Sequence, residues 1–247
     1  MVSRKVIDQV KRQEESSTSI GMILIVDDDP QIVELLRTYL LGEGWNVVSA
    51  TNGEKALEMV DRYPPDLVIL DIMLPGMEGM EVCRRIRSRY SMPIIMLSAL
   101  SDPFEKVRCL DSGADDYVTK PFVQAELSAR IRAAFRRKIM DEEVTFEAIV
   151  CNSLKVDLSA RRVTLKGREV KLTPIEFRIL EELVKQSGKV LGYRYLLNKI
   201  WGSEYQDEKE YLHVHIKHLR AKIEPDPENP VYVINVPGIG YRFEHHR

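Results

Sequence analysis

Three consecutive aspartates, Asp27-Asp28-Asp29, close one apolar run of this chain, and a fourth, Asp71, closes another. Crowded carboxylates repel one another and call for a hard cation with oxygen ligands, which suits Mg2+. A lysine opposite them can neutralise an incoming phosphate, and a hydroxyl can donate to one of its oxygens. Both are supplied at comparable places, Ser98 at the end of a third run and Lys120-Pro121 after a fourth. Together these groups suit phosphoryl transfer onto a carboxylate. Taken singly each has an ordinary reading: the aspartates as turn or helix caps, the serine as a turn residue, the lysine as a solvated charge. Their joint placement carries the chemistry.

Such groups meet only if a scaffold gathers several strand ends. From Met22 onward short apolar runs alternate with amphipathic helices: Ile23–Val26, Asn46–Ala50, Leu67–Leu70, Pro93–Leu97 and Asp116–Thr119 are the strand candidates. The helices between them show a 3.6-residue period, as in Ile32, Leu36, Leu40 and in Leu127, Ile131, Phe135. This pattern predicts an α/β fold, a doubly wound, five-stranded parallel sheet over residues 21–137, which binds ligands at the carboxyl ends of its strands. Residues 1–20 are polar and read as a flexible extension. The charged stretch 138–147 reads as a linker. Residues 148–245 then change rhythm, with short alternating strands near 154–158, 162–165 and 169–172, three helices, and a closing hairpin through Val231–Val236 and Tyr241–Phe243.

At 247 residues the chain exceeds what one core needs. No apolar run is long enough to span a bilayer and the N-terminus lacks a signal-peptide core, so a cytoplasmic protein without membrane contact is expected. The three cysteines, Cys83, Cys109 and Cys151, follow no metal or C-x-x-C spacing and read as reduced packing residues. The net charge of −2 excludes a generally basic nucleic-acid binder, so any DNA affinity must be local. A local source exists in the third C-terminal helix, Glu208–Ile223. Leu212, Ile216, Leu219 and Ile223 form its buried stripe, while Lys209, His213, Lys217 and Arg220 share an adjacent arc. A cationic arc of this kind can enter a major groove, although a solvated amphipathic helix has the same pattern.

The stretches Ile25-Val26-Asp27-Asp28-Asp29-Pro30, Leu70-Asp71-Ile72-Met73-Leu74-Pro75-Gly76-Met77, Met96-Leu97-Ser98-Ala99 and Gly113-Ala114-Asp115-Asp116-Tyr117-Val118-Thr119-Lys120-Pro121-Phe122 resemble the receiver domain of bacterial two-component response regulators. The resemblance implies that Asp71 is the phosphoacceptor and that Mg2+ is held by Asp27, Asp28, Asp71 and the carbonyl of Met73. Ser98 and Lys120 would meet the phosphoryl oxygens, the Lys120-Pro121 bond would be cis, and Tyr117 would turn inward as Ser98 moves. It also implies a two-fold dimer favoured by phosphorylation, with Lys106 on Glu126, Asp116 on Arg130 and Asp115 on Arg132. Glu126 and Arg130 also suit an i,i+4 pair within one helix.

Leu172-Thr173-Pro174-Ile175-Glu176-Phe177-Arg178-Ile179-Leu180, Gly188-Lys189-Val190-Leu191, Leu196-Leu197-Asn198-Lys199-Ile200-Trp201-Gly202 and Gly238-Ile239-Gly240-Tyr241-Arg242-Phe243 are similar to the winged helix-turn-helix output domain of the OmpR/PhoB family, nearest to regulators of Kdp-type potassium uptake. This likeness puts Trp201, His215, Lys217, His218 and Arg220 at DNA, with a wing carrying Gly240 and Tyr241. Glu210 and Pro237 stand where relatives often have arginine, and His218 is a weaker donor than arginine at neutral pH, so base preference does not carry over. The implied function is a phosphorylation-activated transcriptional regulator, not an enzyme, that is served by a sensor histidine kinase, dimerises on promoter DNA and meets RNA polymerase. Two rivals are an aspartyl phosphotransferase, which would need an acid at Met73 and a closing cap, and a phosphorylation-independent adaptor. Met73 and Leu100 are apolar and cannot orient an attacking water, so a long-lived phosphorylated state is expected.

Overall fold

The computed structural model describes residues 20–99, 102–139 and 148–244. The expected extension, except for Ile20, the linker from 140 to 147 and Leu100 lie outside the described residues. Two compact units divide between Arg132 and Ala133.

The first unit is built on β1 (Met22–Val26), β2 (Asn46–Ala50), β3 (Leu67–Asp71), β4 (Ile94–Ser98) and β5 (Asp116–Thr119), all parallel in the order β2-β1-β3-β4-β5. Helices α1 (Pro30–Gly42), α2 (Gly53–Arg62), α3 (Gly79–Arg87), α4 (Pro103–Asp111) and α5 (Gln124–Ile139) follow the strands in turn, and the division between the units falls inside α5. Every residue of β3 and β4 is buried, which is why these strands lack polar alternation. The strand order reverses between β1 and β3, and in open parallel sheets such a reversal opens a crevice at the carboxyl ends. Helix starts are fixed locally. Asp29 accepts from Gln31 N at 2.8 Å with Pro30 in the first turn, and Asn52 accepts from Lys55 N at 2.9 Å.

The second unit opens with an antiparallel sheet of β6 (Ile149–Cys151), β7 (Leu154–Asp157), β8 (Arg162–Leu165) and β9 (Arg168–Val170). Helices α6 (Pro174–Lys185), α7 (Tyr193–Ile200) and α8 (Lys209–Ile223) follow, with a 3-10 turn at Ser203–Tyr205. A second sheet joins β10 (Val190–Gly192), β12 (Gly240–Phe243) and β11 (Val233–Val236) in that order. Thr173 and Glu176 form a reciprocal capping box ahead of α6. Strands β6 and β10, three residues each, were not predicted from the sequence. All three cysteines are free and buried, and burial pushes the Cys109 thiol up to about 12, far from reactivity at neutral pH. No helix among the described residues is long and apolar enough to cross a membrane.

Candidate functional site

The crevice between β1 and β3 holds the acidic residues. Asp27 follows β1 and is 1% exposed, Asp71 ends β3 at 4%, and Asp28 is exposed at the rim. Ligand oxygens of the three lie within 4.8 Å of one another. Lys120, just past β5, reaches back with Nζ 2.7 Å from Asp27 Oδ2 and 2.6 Å from Asp71 Oδ1. Asp71 Oδ2 accepts the Met73 N–H at 3.0 Å, and Asp27 Oδ1 accepts that of Asp29 at 3.0 Å. One ammonium against three carboxylates leaves the cluster negative, and three hard oxygens at this spacing fit a divalent cation such as Mg2+.

One lysine shared between two acids produces opposite balances. Burial pulls Lys120 down, but its bonds to Asp27 and Asp71 outweigh that and hold the ammonium above its usual range. Burial pushes Asp71 above the ordinary carboxylate range, because its half share in Lys120 does not offset desolvation and the neighbouring charge of Asp27.

Ser98 is 1% exposed at the end of β4, and its carbonyl accepts the Lys120 N–H at 2.5 Å. The Lys120-Pro121 bond is cis. Tyr117 is buried in the core, where burial raises its hydroxyl and a hydrogen bond with Ser98 draws it down, so the ring already lies inward. Met73 is 67% exposed beside Asp71. Gly79 sits beneath the pocket, where an added Cβ would come within 2.0 Å of the Asp71 carbonyl oxygen.

The charged set on α4, β5 and α5 finds partners inside the chain. Arg130 reaches Asp116 at 3.1 Å and Glu126 at 2.7 Å, the latter being the i,i+4 pair. Lys106 is half-buried on α4. Asp115 and Arg132, expected to pair across a dimer, each have partners within the chain. Asp115 is 2% exposed and bound by Arg87 and by Ile94 N at 2.8 Å, so its cation within the chain is Arg87. Arg132 instead bonds Glu43 at 3.1 Å and Ser128 Oγ at 2.5 Å. Sequence reasoning missed Arg87, whose guanidinium also donates to the carbonyls of Gly113, at 2.6 Å, and Met92.

On α8, Lys209, His213 and Lys217 are exposed while His218 and Arg220 are half-buried, so the cationic arc faces outward. Four residues expected at DNA, Trp201, His215, Gly240 and Tyr241, are buried within the unit. Trp201 and His215 are each 2% exposed with ring centroids 5.4 Å apart, and they pack the helix onto its neighbours. Gly240 is also internal: a Cβ there would lie 1.9 Å from Leu191 O, so the glycine permits β10 and β12 to approach. Tyr241 is 5% exposed, and burial lifts its hydroxyl to about 12 despite nearby Arg220. The sequence reading overlooked Tyr193, whose ring lies edge-on to His213 at 5.5 Å and to Tyr241 at 5.8 Å, with Lys209 Nζ 5.5 Å from its centroid.

Comparison with known proteins agrees with both units. Residues 23–132 match the family described as response regulator receiver domain, and residues 167–243 match transcriptional regulatory protein, C terminal. The transcriptional regulatory protein KdpE of Mycobacterium tuberculosis is 44% identical over 223 residues, covering 90% of this chain and 99% of the relative. The DNA-binding response regulator MtrA of Mycolicibacterium smegmatis is 43% identical, covering 89% and 95%. The solved structure of a RitR mutant aligns with a TM-score of 0.73 at 27% identity, over 91% of this chain and 99% of that one.

Proposed function

Because this chain belongs to the OmpR/PhoB-type response regulators, in which a receiver precedes a DNA-binding domain, we propose that Asp71 takes a phosphoryl group from a sensor histidine kinase and thereby controls promoter binding. The observation that carries this reading is the bridge from Lys120 Nζ to Asp27 and Asp71 at 2.7 and 2.6 Å, with Asp28 beside it. A carboxylate oxygen of Asp71 attacks the phosphorus in line, the P–N bond to the kinase histidine breaks, and the imidazole leaves. Lys120 then exchanges its carboxylate contact for a phosphoryl oxygen, and Ser98 donates its hydroxyl to another. Asp27, Asp28, Asp71 and the Met73 carbonyl would hold Mg2+, which when bound would supply positive charge against the repulsion between the carboxylate and the phosphoryl oxygens. The receiver acts on its own aspartate and turns over no other substrate. Met73 offers no group to orient water, so the phosphoryl group persists.

Tyr117, hydrogen-bonded to Ser98, links the pocket to the α4-β5-α5 face, where Lys106 with Glu126 and Asp116 with Arg130 pair across a homodimer. A surface pair such as Lys106 with Glu126 is worth about 0–1 kcal/mol, and Asp116, 1% exposed and held by Arg130 within the chain, must exchange that bond, so the dimer is a modest bias that phosphorylation tips. Dimerisation brings two α8 helices to a repeated promoter element, with Lys209, His213, Lys217, His218 and Arg220 facing the duplex and Tyr241 backing them. RNA polymerase is the further partner. The functional segments are an extension at 1–20, a receiver at 21–137, a linker at 138–147 and a winged helix at 148–245, in a cytoplasmic protein.

The test is acetyl phosphate with Mg2+, read by intact mass, sedimentation and a chase after the phosphodonor is removed. Wild type should gain one phosphoryl group, sediment faster and keep its label for minutes or longer, whereas Asp71→Asn should do neither of the first two with its circular dichroism unchanged. Labelling of Asp71→Asn would mean another acceptor. Unchanged sedimentation of labelled wild type would remove the dimer, and loss of label within seconds would remove the long lifetime.

A further inference from the structure

A carboxylate at the carboxyl end of a helix opposes the helix dipole, yet Glu224 directly follows α8 and is only 6% exposed. Such a charge is tolerated when donors converge on it. Here the donors are three consecutive backbone N–H groups, from Val231 at 2.8 Å, Tyr232 at 3.0 and 3.1 Å, and Val233 at 2.8 Å. These bonds lash the start of β11 to the end of α8. Val233, held in this way, turns its carbonyl to Arg220 and accepts from Nε at 3.0 Å and Nη2 at 2.6 Å. The guanidinium carbon lies 5.7 Å from the Tyr241 ring centroid. Two donors on one carbonyl fix the plane of a guanidinium and leave its other N–H groups for an anion.

We propose that Glu224 is a positioning residue for DNA binding: through Val233 it aims Arg220 at a backbone phosphate and sets the β11–β12 hairpin beside α8. This rests on the DNA-binding reading above. Neither Glu224 nor the main-chain groups it binds need touch DNA. Simple loss of fold and loss of aim have different signatures. A partly unfolded sample binds less without changing the number of phosphates engaged, and its loss multiplies with that of any other variant. Loss of aim lowers the salt dependence and overlaps with loss of Arg220.

The experiment titrates the full chain, phosphorylated with acetyl phosphate and Mg2+, against a fluorescently labelled, mixed-sequence DNA duplex over a salt series, for wild type, Glu224→Gln, Arg220→Ala and the double variant. Arg220→Ala should weaken binding roughly tenfold and reduce the slope of log affinity on log salt by about one. Glu224→Gln should lose affinity in the same direction with a reduced slope, and the double variant should be no weaker than Arg220→Ala. A wild-type slope in Glu224→Gln, or a double loss equal to the product of the single ones, overturns the proposal. If Glu224→Gln lacks a folded circular dichroism spectrum, the same cycle is run with Glu224→Asp, which keeps the charge but draws it back by one methylene, and the same outcomes decide. No binding by wild type overturns the DNA reading and this inference with it, whereas wild-type binding with unaffected variants overturns the inference alone.

Discussion

Replacing Gly79 by alanine sets two physical effects against each other at the base of the acidic pocket. Gly79 is the first residue of α3, where alanine is favoured over glycine by about 0.5–1 kcal/mol on conformational grounds. Its added Cβ, however, would stand 2.0 Å from the Asp71 carbonyl oxygen, 2.9 Å from the Asp71 carbonyl carbon and 2.9 Å from Ile72 Cα. Comfortable carbon contacts lie near 3.5 Å, so β3 and α3 must part by about 1 Å or more, and these are backbone atoms with no rotamer to escape into. The Gly79 N–H bond to Ile72 O, 2.9 Å long, is then lost. Overpacking of this kind costs about 1–3 kcal/mol and the bond about 1 kcal/mol, which leaves a net loss of about 1–3 kcal/mol after the propensity gain. For a unit of this size that is a fall of about 4–12 °C in the midpoint of its calorimetric transition. Gly42→Ala is the control, since nothing lies within 4 Å of a Cβ there, and it should hold or raise the midpoint by no more than about 1 kcal/mol of stability. A midpoint for Gly79→Ala at or above wild type would refute the close approach of α3 to the strand that carries Asp71. Acetyl phosphate labelling should fall with the midpoint, because the displaced backbone is that of Asp71 itself.

Three further outcomes follow from the buried charges. Arg87→Ala leaves Asp115 buried without its cation and should cost about 3–5 kcal/mol in urea unfolding of the receiver, whereas a loss under about 1 kcal/mol would return Asp115 to the surface set. Asp71 has a folded pKa raised above its unfolded value, so its contribution to stability is fully present below the unfolded value and is lost as pH rises through the folded one. The stability of Asp71→Asn relative to wild type should therefore grow as pH rises across that window and then level off, and a difference that shrinks instead would show that Lys120 dominates. Glu176→Ala removes half of the capping box and the partner of Lys222 at 2.6 Å, and should lower the stability of the second unit by about 1–2 kcal/mol, with no change in labelling of Asp71.

The residues of the pocket were legible because their positions are dictated locally. A strand buried on both faces must be apolar throughout, so the first polar residue marks the strand end, which places Asp27, Asp71 and Ser98, whereas Lys120 follows the polar strand Asp116–Thr119 and was placed by the likeness to receiver domains. The stripe of Leu212, Ile216, Leu219 and Ile223 was equally visible, since helical periodicity needs only sequence spacing. What sequence could not reveal is how a second element covers a side chain. Asp115 and Asp116 are neighbours of one type, yet Asp115 is taken by Arg87 from α3 and Asp116 by Arg130 from α5. His215 lies outside the apolar stripe, and only the packing of Trp201 against it removes it from the surface. Glu224 looks like any charge after a helix until β11 returns with three N–H groups. The sequence by itself determined the elements and the chemical groups at their ends, because both follow from short-range periodicity and solvation. The tertiary structure alone decided which charges are spent internally and which remain for partners, because that depends on contacts between residues far apart in the chain.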